Sequence, residues 1–301
     1  KTYPQKSGGD EIMTKTETKS GKMPLHFSRK LLAIPYGLFL AMFVVIPLLI
    51  IIYYAFTDRN GNFTFENFAT FFNGNGEGII GFFRSSTCKT IGRSLFIATT
   101  STILCLLIAY PVAYIIAKCK LKNKAVFLLL FVVPMWVNFV LRINALRELF
   151  IWIGTFNKSD NWNLFNTIIG MVYDFLPFMI LPIYTTIIKI DKSYLEASRD
   201  LGATGATTFL KITLPLSKAG IMSGISMVFL PSMTNYVVSN WLTYNNTAII
   251  GSFIEQAFRN TLWNQGSVTA IILLLLMFLI TWLTGGFRED GQAEARGTSL
   301  W

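Results

Sequence analysis

Few side chains in this sequence could act on a covalent bond. His26 is the single histidine, and Cys88, Cys105 and Cys119 are scattered without metal-ligand spacing. The cysteines read as small packing residues, and no G-x-x-x-x-G-K-[ST] phosphate loop is present. A membrane enzyme would need an acid/base pair or a metal set, and these residues offer neither. Two other features carry chemistry. Asp174 is the one acidic residue deep in an apolar stretch, flanked by Tyr173 and Phe175. An ionisable group at such a depth marks a functional site by default, or a carboxylate paired with Arg142 to fix helix packing. The second feature is a polar connection, Asp191 to Pro215, long enough to make contact with another protein.

The elements that must position these groups follow from charge spacing. Of 301 residues, 52% are hydrophobic and only 14% charged, whereas a soluble domain carries roughly a quarter charged residues. Stretches 31–57, 94–117, 125–141, 219–254 and 260–287 lack Asp, Glu, Lys and Arg, and 167–188 carries Asp174 alone. A helix needs about 20 apolar residues to cross a hydrocarbon core, so the sequence predicts an all-α polytopic protein of about six spans. They are placed near 32–55, 94–117, 125–143, 167–188, 219–239 and 267–284. Pro134, Pro177, Pro182 and Pro231 are expected to interrupt their helices and free carbonyls.

The net charge of +10 marks topology. Lys15, Lys19, Lys22, Arg29 and Lys30 precede the first span. Lys118, Lys120, Lys122 and Lys124 follow the second, and Lys189, Lys192, Arg199, Lys211 and Lys218 follow the fourth. The positive-inside rule makes these segments and both termini cytoplasmic. No basic stripe interleaved with exposed aromatics points to nucleic acid. The expected organisation is a disordered N-terminal segment 1–30, a transmembrane domain 31–285 with a cytoplasmic loop 189–218, and a polar tail 286–301. Met13 or Met23 is a plausible start, and the first span is read as retained, being too long for a signal peptide.

Within the loop, Tyr194, Leu195, Ser198 and Leu201 recur at helical spacing, with Gly202 placed to close a helix. A second helix, 206–212, is expected to stop at Pro215. Two short helices could press into a partner's groove or lie on the lipid surface.

This segment resembles the EAA motif of ABC importer permeases: Glu-Ala-Ala, three residues, Gly, nine residues, Ile, one residue, Leu-Pro. Glu196, Ala197, Gly202, Ile212, Leu214 and Pro215 match, and Ser198 replaces the second alanine. The resemblance implies a MetI-like permease fold, with Glu196 to Gly202 as a coupling helix docking on an ATP-hydrolysing subunit. A buried Gly202 would permit close helix approach. Stretches 133–143, 173–184 and 230–233 are similar to the spermidine/putrescine permeases of the PotB type. Iron, thiosulfate and other small-solute permeases share parts of the pattern.

That resemblance implies a polyamine cargo and a transport role without catalysis. Its partners would be a PotA-like ATP-binding pair holding ATP and Mg, a PotC-like second permease, and a PotD-like extracytoplasmic binding protein. This chain itself would hold no cofactor. Ammonium groups call for acidic oxygens and aromatic faces, so Asp174, Tyr173, Trp136, Asn138, Tyr236, Asn240 and Trp241 are candidates to line the path. Asn240-Trp-Leu-Thr-Tyr stands where the polyamine group commonly shows an acidic residue and a Gly-Gly pair. An ATP-independent channel or secondary carrier is the rival, but carriers often show inverted repeats, which these spans lack.

Overall fold

A computed structural model of the chain describes residues 29–58, 60–73, 86–118 and 124–283. Lys120, Lys122, Cys119, His26, most of the predicted N-terminal segment and the tail lie outside the described residues. The chain divides into two compact units, Lys1–Leu48 and Leu49–Trp301. In the first, helix α1 (Arg29–Leu40) leads through a π-helical turn, Ala41–Val45, into the start of α2 (Ile46–Ala55).

The second unit holds α3 (Glu66–Asn73), α4 (Ser86–Lys118), α5 (Lys124–Val132), α6 (Phe139–Ile153) and α7 (Asp160–Ile188). Then come α8 (Lys192–Asp200), α9 (Gly205–Thr208), α10 (Leu214–Leu216), α11 (Lys218–Thr234), α12 (Tyr236–Thr243), α13 (Ile250–Arg259) and α14 (Trp263–Leu283). Among the described residues there is no strand, only an isolated bridge between Thr57 and Phe63.

Four helical stretches, Ile34–Ala55, Ser86–Lys118, Asp160–Ile188 and Trp263–Trp282, are long and apolar enough to cross a membrane. The count reaches six if two bent pairs are each one span. The first of those pairs corrects the predicted third span, and the bend of the second lies before the predicted fifth. Lys124–Trp136 and Phe139–Ile153 meet at 93°, and Gly205–Leu216 and Lys218–Thr234 at 62°. At the first break, Pro134 sits in a 3-10 turn, Val133–Trp136, and Val137 is extended at ψ 141°. Asn138 then restarts the helix by accepting the Val140 N–H at 2.9 Å. The fifth span stops at Thr234, short of the predicted 239, and Asn235 caps the separate α12. Pro177 and Pro182, expected to interrupt α7, lie inside one continuous helix, where packed neighbours tolerate the lost N–H.

α4, α7 and α11 form the core. On α4, Ser101, Cys105, Ala109, Ala113 and Ala117 are buried every fourth residue, and on α11 Gly220, Gly224, Val228 and Ser232 repeat that interval. Lipid tails are as apolar as leucine, so spans associate through close packing of small residues. Met171, Met179, Ile180 and Ile183 of α7 fill the space between, each fully buried.

Candidate functional site

Residues 189–218 form two short helices held on the end of α4. Asp191 caps α8 by accepting the Ser193 N–H at 3.0 Å, and that bond holds its exposed carboxyl below the usual carboxylate range. Gly202 closes the helix at φ +79°. The Gly202 N–H donates to Arg199 O at 2.8 Å and the Ala203 N–H to Ser198 O at 3.0 Å, the bond pair of a Schellman motif. Gly202 is exposed, and a Cβ there would meet nothing within 4 Å. Its requirement is therefore the left-handed backbone, which corrects the expectation of a buried glycine at a close approach.

Tyr194, Leu195, Ser198 and Leu201 do not share one buried face. Ser198 is buried, with its Oγ 2.8 Å from Thr208 Oγ1 of α9. Tyr194 and Leu201 point outward, 58% and 88% exposed, beside exposed Glu196 and Ala197. The first helix is thus pinned by one hydroxyl pair and presents an apolar and acidic outer face.

Pro215 does not end the second helix. A π-helical turn, Phe209–Thr213, widens the backbone so that Leu214 N–H reaches Phe209 O, and α10 carries Pro215 in its first turn. The missing proline N–H costs little there. The turn is anchored by Phe209, set edge-on to Tyr110 and Tyr114 of α4 at ring distances of 5.6 and 5.2 Å. Tyr110 Oη lies 2.9 Å from Ser217 Oγ at the 62° bend. Leu214 packs against the core and Ile212 is half-buried, whereas Pro215 is exposed.

The second candidate site lies where α6 meets α7. Asp174 is the midpoint of the 29-residue α7, and its Oδ1 accepts from Arg142 Nη2 at 2.6 Å, with both side chains less than a tenth exposed. Phe139 and Tyr173 place their rings 6.0 and 5.9 Å from the guanidinium carbon. Of the other candidates, Trp136 stands 79% exposed at the broken third span, beside exposed Asn138, whose side-chain oxygen is used as a cap. Tyr236 packs against the core, and Asn240 accepts a hydrogen bond from Ser252 Oγ of α13 at 3.0 Å. Trp241 belongs to a separate cluster in which Arg147 lies 6.0 Å from its ring and 5.9 Å from that of Tyr244. Arg147 and Tyr244 escaped the sequence reading, since only the fold brings α6 against α12. Among the described residues no group of three or more His, Cys, Asp or Glu could hold a metal.

Comparison with known proteins extends over the whole permease region. The spermidine/putrescine transport system permease PotB of Salmonella typhimurium is 34% identical over 265 residues, covering 81% of this chain and 88% of its own length. PotB of Escherichia coli K12 is 33% identical over 81% of this chain and 92% of its own. A PotB homolog of Mycoplasma genitalium is 30% identical over 82% and 85%. A bacterial ABC transporter importing the acidic polysaccharide alginate shares the fold, with a TM-score of 0.66 at 16% identity over 86% of this chain and 94% of that one. The MetNI methionine ABC transporter follows at 0.51 and 14% identity, over 69% and 94%. Residues 32–288 match the family model of the binding-protein-dependent transport system inner membrane component, and the chain belongs to that family of ABC importer permeases.

Proposed function

We propose that this permease imports polyamines, with the loop 189–218 as the contact through which ATP hydrolysis in a partner drives it. The observation that carries the cargo is the set of relatives named for spermidine and putrescine, 33–35% identical over about four fifths of the chain. Asp174 and Tyr173, at the middle of α7, supply the carboxylate and the ring that an ammonium group recognises. Trp136, Asn138, Tyr236, Asn240 and Trp241 are assigned to the rest of the path.

The exposed face of α8, Tyr194, Glu196, Ala197 and Leu201, suits a protein groove better than water, because Leu201 leaves most of its surface uncovered. The partner pair binds ATP and Mg, a second permease completes the pathway, and an extracytoplasmic binding protein delivers cargo. The neighbouring alginate transporter, in one structure, is in complex with its own oligosaccharide-bound periplasmic protein. Both termini and the loop lie on the cytoplasmic side in this reading.

The test is uptake of radiolabelled spermidine and putrescine into proteoliposomes holding the four-component complex, with and without internal ATP. ATP-dependent accumulation is the expected result. Uptake without ATP would sink the coupled mechanism, and ATP-dependent uptake of thiosulfate or ferric ion without polyamine uptake would reassign the cargo.

A further inference from the structure

The carboxylate expected to receive an ammonium group already holds a cation. We propose that the Arg142 guanidinium is a tethered stand-in for a cargo ammonium, filling a site built by Asp174, Tyr173 and Phe139 that cargo enters by displacing it. The proposal rests on the polyamine reading and assigns Arg142 a specificity role within it.

Three observations carry the inference. First, the pair is a loose one for arginine. A guanidinium and a carboxylate fit best as a two-pronged fork, yet among the described residues one contact is made, Nη2 to Oδ1 at 2.6 Å, and Nε is buried without a partner. An ion pair whose purpose was to lock α6 to α7 would gain from the second prong, and an unpaired buried donor works against it. Second, the surroundings recognise positive charge in general. One carboxylate with two rings at 6.0 and 5.9 Å serves a primary or secondary ammonium as well as a guanidinium.

Third, the pair lies deep along its helices, at the depth the polyamine reading assigns to the path. Asp174 is midway along α7, and Arg142 rides on α6 just beyond the break in the third span. Arg147, five residues further along, marks the contrast. It also faces two rings, but its acidic partner is the adjacent Glu148, 65% exposed, so no deep carboxylate is masked there. A buried carboxylate without a counter-ion is strongly unfavourable. A resident arginine compensates Asp174 between transport cycles, and a polycation restores that balance as it arrives.

A packing pair and a stand-in predict different mutant series in the reconstituted complex. Uptake of spermidine at limiting concentration is measured beside the amount of assembled complex. The stand-in makes the two partners unequal: Asp174→Asn lowers uptake about tenfold or more, and Arg142→Gln raises it several-fold because cargo no longer competes with a tethered cation. The exchanged pair Arg142→Asp/Asp174→Arg, which restores the ion pair with its charges on opposite helices, stays as slow as Asp174→Asn. Equal losses in both single variants, or recovery in the exchanged pair, would overturn the proposal. The exchanged pair decides if Arg142→Gln assembles poorly. A native complex that imports neither spermidine nor putrescine overturns the cargo reading and the stand-in together. Native polyamine import with recovery in the exchanged pair overturns the stand-in alone.

Discussion

At the scale of single residues, three positions in and just after α8 separate shape from contact. Gly202 holds φ +79° with open space around it, so alanine there costs backbone strain and no clash, about 1 kcal/mol. Gly202→Ala is expected to loosen the end of α8 and to lower substrate-stimulated ATPase activity by a few-fold, while the spans insert normally. Stimulation equal to the native complex would show that the left-handed closure is dispensable. Leu201 and Glu196 test contact instead, since both side chains are exposed. Glu196→Lys reverses a charge on the face assigned to the ATPase, and is expected to abolish stimulation with undiminished membrane insertion. Full stimulation by that variant would remove α8 from the coupling contact. Asp191 adds a pH consequence: its folded pKa is depressed, so its cap is intact above the ordinary carboxylate range and is lost as pH falls through the lowered value. Coupling should therefore not titrate near neutrality through this group.

At the scale of elements, the fold depends on how closely helices approach. A Cβ on Gly220 would lie 2.5 Å from Thr186 Oγ1 and 2.6 Å from the Pro182 carbonyl oxygen, and one on Gly224 would lie 2.6 Å from Met179 Sδ. Gly220→Val forces α11 off α7 and is expected to destabilise the chain by about 1–3 kcal/mol, seen as a lower midpoint of thermal unfolding in detergent. A midpoint matching the native protein would mean that the two helices are not in this contact. The interval of small residues that permits the approach is visible in the sequence, but hydropathy reads only whether a stretch is apolar. For that reason the four uninterrupted spans were legible as gaps between charges, whereas a break showed only through a proline, as at Pro134. Four prolines look alike in sequence, yet Pro134 and Pro231 lie near breaks while Pro177 and Pro182 sit within a packed helix. The short helices of 189–218 were legible because their spacing lies within one segment. The Arg142–Asp174 pair joins residues 32 apart, and it could be named only as one of two readings of Asp174. Arg147 with Trp241 needed the fold.

At the scale of the whole molecule, the broken third span states which surface faces lipid and which does not. The nine α-helical and four 3-10 residues before the break rise about 20 Å, short of a hydrocarbon core of about 30 Å. Val137 and Asn138 therefore lie at a depth where irregular backbone survives only against protein or water. Yet Trp136 is 79% and Val137 48% exposed, so this chain alone does not cover them. Either the second permease proposed above or an aqueous path must do so, and Leu275, 61% exposed on the uninterrupted α14, supplies the lipid-facing contrast. In a background with Cys88, Cys105 and Cys119 replaced by alanine, Trp136→Cys and Leu275→Cys are compared in the assembled complex. The thiol at 136 is expected to react with a membrane-impermeant maleimide, or to cross-link to the second permease, and the thiol at 275 to react only with a lipid-soluble reagent. If position 136 reacted as position 275 does, the break would face lipid, and Trp136, Asn138 and the Arg142–Asp174 pair beyond them would leave the path.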